Sequence, residues 1–101
     1  MIVQVTNSGA DVGADQFDLQ IPGGGVGIYN ACSKQWNAPN DGWGDKYGGV
    51  GSRQDCDSLP GEIRDGCLFR FDWFGGADNP NMNYAEVNCP SELTSITGCS
   101  R

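Results

Sequence analysis

Hydrophobic positions in this chain alternate with polar ones in short runs, and glycine-rich stretches separate the runs. In Gln16-Phe17-Asp18-Leu19-Gln20-Ile21-Pro22 a two-residue period sets Phe17, Leu19 and Ile21 on one side and Gln16, Asp18 and Gln20 on the other, the pattern of a half-buried strand. Pro22 has no N–H to give to a ladder and ends the run. The following Gly23-Gly24-Gly25-Val26-Gly27 lets the backbone bend tightly and come close to a ligand. Residues 2–6, 26–29 and 83–88 predict further short strands, and 7–15 a mobile loop. The most apolar stretch, 67–74, alternates Phe69, Phe71 and Trp73 against Leu68, Arg70, Asp72 and Phe74. It predicts a buried strand carrying an Arg70–Asp72 ion pair, since buried charges are paired.

Helical signals are fewer. Ser52-Arg53-Gln54-Asp55 reads as a helix N-cap with a weak capping box, and Pro60-Gly61 stops that helix before a second short turn at 62–65. Residues 90–98 have the Pro-first, Gly-last form of a short helix, with Leu93 and Ile96 on its inner face. Between the glycine run and Ser52 lies a long loop, 31–51, that carries Trp36, Trp43 and Tyr47. Loops of that length are functional or tied down. Two readings of these aromatics stay open: they stack on sugar rings, or they plug a small core.

Composition narrows the picture. With 16 Gly and 5 Pro in 101 residues, much of the chain lies in turns and loops, so an irregular β-rich domain, or part of one, fits. A formal charge of −7, from 13 acidic against 6 basic residues, disfavours nucleic acid and anionic membranes and favours a neutral or cationic partner. No run approaches the roughly 18–20 apolar residues that span a bilayer, and Met1-Ile2-Val3-Gln4-Val5 lacks the form of a signal peptide. Five Cys with no His and no C-x-x-C nevertheless suit an extracellular disulfide framework better than a zinc site. These observations agree if the chain is the C-terminal part of a secreted protein whose leader and first half are absent. The turn between Cys56 and Cys67 lets the two approach, and a bridge there would stabilise by about 2–3 kcal/mol. The helix between Cys89 and Cys99 holds that pair roughly 15 Å apart, too far to bond, so some or all of Cys32, Cys89 and Cys99 are expected to bond elsewhere.

Among candidate chemical groups, Asp18 leads as a carboxylate on a rigid element beside a floor without side chains. Its alternative is ordinary solvated surface. Asp11 and Asp15 precede it in the loop, where they adjust its proton affinity or simply form turns. The glycine run is not a nucleotide loop, because no Lys-Ser/Thr follows and there is no G-x-G-x-x-G register. Asp78-Asn79-Pro80-Asn81-Met82-Asn83 lacks the alternating oxygen ligands of a calcium loop, so no metal and no cofactor is expected. Without His, Ser-His and Cys-His nucleophile schemes are excluded.

Phe17-Asp18-Leu19 with Ile21-Pro22-Gly23-Gly24-Gly25-Val26-Gly27, Tyr47-Gly48-Gly49, Ser52-Arg53, Phe69-Arg70-Phe71-Asp72-Trp73-Phe74, Ala77-Asp78-Asn79-Pro80 and Cys89-Pro90 through Gly98-Cys99 resemble the family 45 endoglucanases, which are secreted cellulases. The resemblance runs over residues 1–101 and implies the C-terminal half of that family's catalytic domain. It implies a mainly β fold, part of a six-stranded double-psi β-barrel with long loops and short helices, and an inverting attack on cellulose or another β-1,4-glucan. The general acid then maps onto Asp18 and an auxiliary loop carboxylate onto Asp11. Glucan contacts map onto Gly25, Ile28, Tyr47, Asp78 and Asn79. Cys56 pairs with Cys67, and Cys32, Cys89 and Cys99 pair with cysteines of the other half. The protein is expected to be secreted and monomeric, with the N-terminal half completing it. Two departures stand out: Gln16 replaces the family's His before the Phe-Asp pair, and the base aspartate has no counterpart in this chain. A second resemblance, through the Phe-Asp pair, is to expansin-type wall-binding proteins, which do not hydrolyse their polysaccharide, and a third reading is a truncated product with no activity of its own.

Overall fold

A computed structural model describes residues 1–100. The chain forms two compact units, one from residues 1–18 with 81–100 and the other from Leu19–Pro80. The helices are α1 (Cys32–Trp36), α2 (Gly61–Asp72) and α3 (Ser91–Thr97), with a 3₁₀ turn at Arg53–Ser58. None of the described helices is long and apolar enough to cross a membrane.

The mainly β, double-psi barrel expectation is overturned. Among the described residues there is no β-strand, and sheet-like pairing is limited to the antiparallel bridge between Asp45 and Gly49. An alternating run becomes a strand only where a second segment accepts and donates its ladder bonds. No backbone ladder joins 2–6, 16–22, 26–29 or 83–88 to one another among the described residues. The alternation of 16–22 survives as partial burial: Leu19 and Ile21 are half-buried while Gln16, Asp18 and Gln20 are exposed.

The stretch expected to be a buried strand is instead the body of α2. The 3₁₀ turn ends at Ser58, before Pro60 as expected, and Pro60 also precedes α2 as its N-cap with extended ψ of 144°. Proline suits a helix start because the N–H it lacks would have no partner there. Glu62 in the first turn and Arg70 in the last then complement the helix dipole. Ile63, Cys67 and Phe71 recur at four-residue spacing; Cys67 joins Val50, Cys56 and Leu59 in a buried cluster, and Ile63, Phe71, Leu68 and Trp43 pack against it. The expected Arg70–Asp72 pair does not form. Arg70 donates through Nη1 to the Val50 carbonyl at 2.8 Å and lies over the Phe71 ring. Asp72 pairs with Arg53 through two parallel bonds of 2.7 and 3.1 Å. Helical geometry separates side chains two apart, which is why the strand-type pair fails.

The cap, the disulfide and the last helix form where expected. Ser52 caps the 3₁₀ turn in a full capping box with Asp55. Cys56 and Cys67 form a disulfide across 11 residues, with Cα atoms 5.7 Å apart. Helix α3 follows Pro90 and ends at a left-handed Gly98. On its face Leu93 is half-buried, but Ile96 is 83% exposed and not part of an inner face. Cys32, Cys89 and Cys99 are free thiols.

Candidate functional site

In the Leu19–Pro80 unit the glycine run is laced to the loop that follows α1. The Gly24 N–H donates to the Ile21 carbonyl, closing a turn at 2.9 Å. Val50 N–H donates to the Gly23 carbonyl at 2.9 Å, and Gly27 N–H to the Lys46 carbonyl at 2.8 Å. The two Asp45–Gly49 bonds, 2.9 and 2.7 Å, pinch the tip between them into a narrow turn. Tyr47 stands at that tip, 74% exposed, with the Lys46 ammonium 5.6 Å from its ring centroid. Gly25 abuts the Tyr47 main chain, and a β-carbon there would overlap the Tyr47 carbonyl. Only glycine allows that approach. At Gly66 an added β-carbon would come 2.6 Å from the Pro22 ring, so the end of the 16–22 run rests on α2 through a second bare position.

Gly25 and Tyr47 are thus brought together, with Ile28 exposed one residue beyond the anchored Gly27. Asp78 and Asn79 are exposed in the same unit, Asn79 with a left-handed φ of 47°. No hydrogen bond joins them to Gly25, Ile28 or Tyr47 among the described residues. The aromatics divide between the two readings. Trp43 packs against the buried cluster, Trp36 is half-buried in α1, and Tyr47 alone presents an open ring.

Asp11 and Asp18 belong to the other unit, and both are exposed. The loop between them is tied at defined points. Gly13 N–H donates to the Gln16 side-chain oxygen at 2.7 Å, while Gln16 N–H donates to the Gly13 carbonyl. Gln16 is therefore engaged with the loop behind it. Asp15 adopts a left-handed φ of 59° and accepts a 2.7 Å bond from the Tyr84 phenol. That bond, with the charge of Asp15 behind it, holds the Tyr84 pKa above its ordinary 10.0. The Tyr84 ring meets Phe17 edge-on, with centroids 4.9 Å apart.

Tyr84 had no role in the sequence reading, and 69 positions separate it from Asp15, so no local pattern marks the pair. Asn30 was also missed. Its side chain accepts from Ser33 N–H and donates to the Pro39 and Asn40 carbonyls, pinning the loop after α1. An Asn three residues before a Ser at a helix start is a local signal that was available. A concavity lined by Glu86, Val87, Asn88, Cys89 and Ser100 contains none of the candidate residues.

A sharply turned glycine run thus lies beside an open tyrosine in one unit, and exposed loop carboxylates lie in the other. The comparisons give the family: the model of glycosyl hydrolase family 45 matches residues 1–100, and the chain belongs to that family. It is 54% identical over 101 residues to an endoglucanase of Cryptopygus antarcticus, covering all of this chain and 45% of that protein. It is 50% identical to a putative endoglucanase type K of Fusarium oxysporum, of which it covers 26%. The crystal structure of the cellulase from the Antarctic springtail Cryptopygus antarcticus superposes with a TM-score of 0.89 at 53% identity, over 97% of this chain and 47% of that one. The chain thus spans less than half the length of these relatives.

Proposed function

We propose that this chain is the C-terminal portion of the catalytic domain of a secreted, monomeric endo-β-1,4-glucanase that cuts internal bonds of cellulose with inversion. The observation that carries the reading is the family 45 match over residues 1–100, with relatives named endoglucanases at 54 and 50% identity. In an inverting hydrolysis one carboxylic acid protonates the leaving glycosidic oxygen. A second carboxylate, roughly 6.5–9.5 Å away, takes a proton from the water that attacks the opposite face of the sugar. Asp18 is the acid. Asp11 is the auxiliary carboxylate, whose negative charge favours the protonated form of Asp18 before transfer. The base belongs to a segment outside residues 1–101, consistent with relatives more than twice as long. Gly25 and Tyr47 support the glucan, the bare glycine lying under a sugar and the open ring stacking on one, with Ile28, Asp78 and Asn79 as further contacts.

The test is Asp18→Asn in the intact enzyme, with reducing-sugar release from carboxymethylcellulose as the readout. Loss of a general acid lowers kcat by about 10²–10⁴-fold, and an unchanged rate removes Asp18 from the role. The 101-residue chain assayed alone should turn over negligibly; robust hydrolysis would place both carboxylates within it. A complete protein that binds cellulose yet releases no sugar would instead favour the expansin-type reading.

A further inference from the structure

We propose that Tyr84 is a positioning residue for the proposed acid: its phenol holds Asp15, its ring braces Phe17, and together they fix the backbone that presents Asp18. The inference rests on the reading of Asp18 as acid and adds the residue that aims it. Two independent contacts converge on one side chain, the 2.7 Å bond to the Asp15 carboxylate and the edge-on packing at 4.9 Å on Phe17. They straddle Gln16, whose own amide is spent on Gly13, and Asp18 follows directly.

The bond to Asp15 also answers a backbone problem. A φ of 59° is disfavoured for most residues with a β-carbon, and Asp and Asn are among the few that adopt it. Asp15 holds it at a turn that the phenol secures from outside the loop. No residue of the 81–100 segment other than Tyr84 makes a hydrogen bond or ring contact to 11–18 among the described residues. Removing it frees the loop at Asp15 and Phe17 together. Asp18 is exposed and takes its direction from its backbone rather than from packing, so loss of the brace becomes misalignment of the proton donor.

Two measurements test this. In the intact enzyme, Tyr84→Ala should lower kcat by about 10- to 100-fold, the cost of a reacting group misplaced by about 1 Å, with KM within about twofold. Tyr84→Phe, which keeps the ring, should lose less. Asp15→Asn keeps an acceptor and tolerates the left-handed backbone, so it should lose less kcat than Asp15→Ala. In the 101-residue chain, ¹⁵N relaxation should show amide order parameters of residues 15–18 falling from about 0.85 toward 0.6 in Tyr84→Ala. Amides around the Cys56–Cys67 bridge should not change, which confirms that the variant is folded. Unchanged order parameters overturn the brace. So does a Tyr84→Ala enzyme within twofold of the parent kcat when Asp18→Asn is inactive. If Asp18→Asn is itself active, the acid reading fails, and the relaxation data still decide the brace.

Discussion

The two units differ in how they hold their apolar side chains. In Leu19–Pro80, Val50, Cys56, Leu59 and Cys67 are almost wholly shielded, stapled by the disulfide and roofed by α2. Such a bridge adds about 3 kcal/mol by limiting the unfolded chain. In residues 1–18 with 81–100 no described residue is buried, and Ile2, Val5, Val87 and Ile96 are all more than half exposed. Order there comes from point contacts: Tyr84 on Asp15 and Phe17, and Gln4 with Thr97. Hydrophobic residues are present in both, but only a cross-link and a helix convert them into a core. The proposed acid therefore stands in the sparsely packed unit, and the glycine floor stands in the stapled one. Segments with few buried contacts open at low free energy, which makes Tyr84 matter more than a half-exposed tyrosine ordinarily would.

The largest effect expected from this contrast is at Leu59. Leu59→Ala should destabilise by about 2–5 kcal/mol, because the site is closed and leaves a cavity. The same truncation at Ile96, 83% exposed, should stay within about 0.5 kcal/mol. Urea titrations followed by tryptophan fluorescence measure both, and equal losses would erase the distinction between the units.

A smaller effect sharpens the account of the stapled unit. Ser52→Ala removes the hydroxyl that accepts from Asp55 N–H at 3.4 Å and leaves the reciprocal 3.1 Å bond from Ser52 N–H intact. A loss of about 0.5–1 kcal/mol is expected, the lower part of the range for caps. Ser52→Gly should recover most of it, measured by the same titration.

These cases also mark how far the residues alone could be read. Local chemistry was legible: Ser52 three before Asp55, Pro90 before and Gly98 after a helix, and two cysteines across a turn each act within a few residues. Interactions decided at a distance were not. Run 16–22 has a strand's alternation, yet a strand also needs a partner, and alternation in one segment cannot supply it. In 67–74 the two-residue period of the aromatics masked the four-residue period of Ile63, Cys67 and Phe71, and the helix after Pro60 runs on to Asp72 where only a short turn at 62–65 is expected. At the candidate site, the closeness of Gly25 to Tyr47 follows from a glycine floor. The Tyr84–Asp15 bond leaves no trace in either neighbourhood.

The least effect, and the one that separates the units by sign, is in their response to pH. In the stapled unit the bidentate bond from Arg53 holds the Asp72 carboxyl below its ordinary 3.8. A depressed carboxyl stabilises the fold above its unfolded value, and that contribution is lost as pH falls through the folded one. Both partners are more than half exposed, so screening keeps it small. In the other unit Tyr84 is shifted the opposite way, above 10.0, by the bond it donates to Asp15. Its contribution is present below the unfolded phenol value and is lost as pH rises through the folded one. Asp72→Asn should therefore lower the urea midpoint slightly at neutral pH, leave it unchanged at the acid end where the carboxyl is protonated, and so flatten the acid limb of the profile. Tyr84→Phe should remove a phenolate absorbance step above pH 10. If the Tyr84 step instead falls at or below the ordinary phenol value, the bond to Asp15 does not persist in solution, and the sparsely packed unit loses the contact that most distinguishes it from a loose tail.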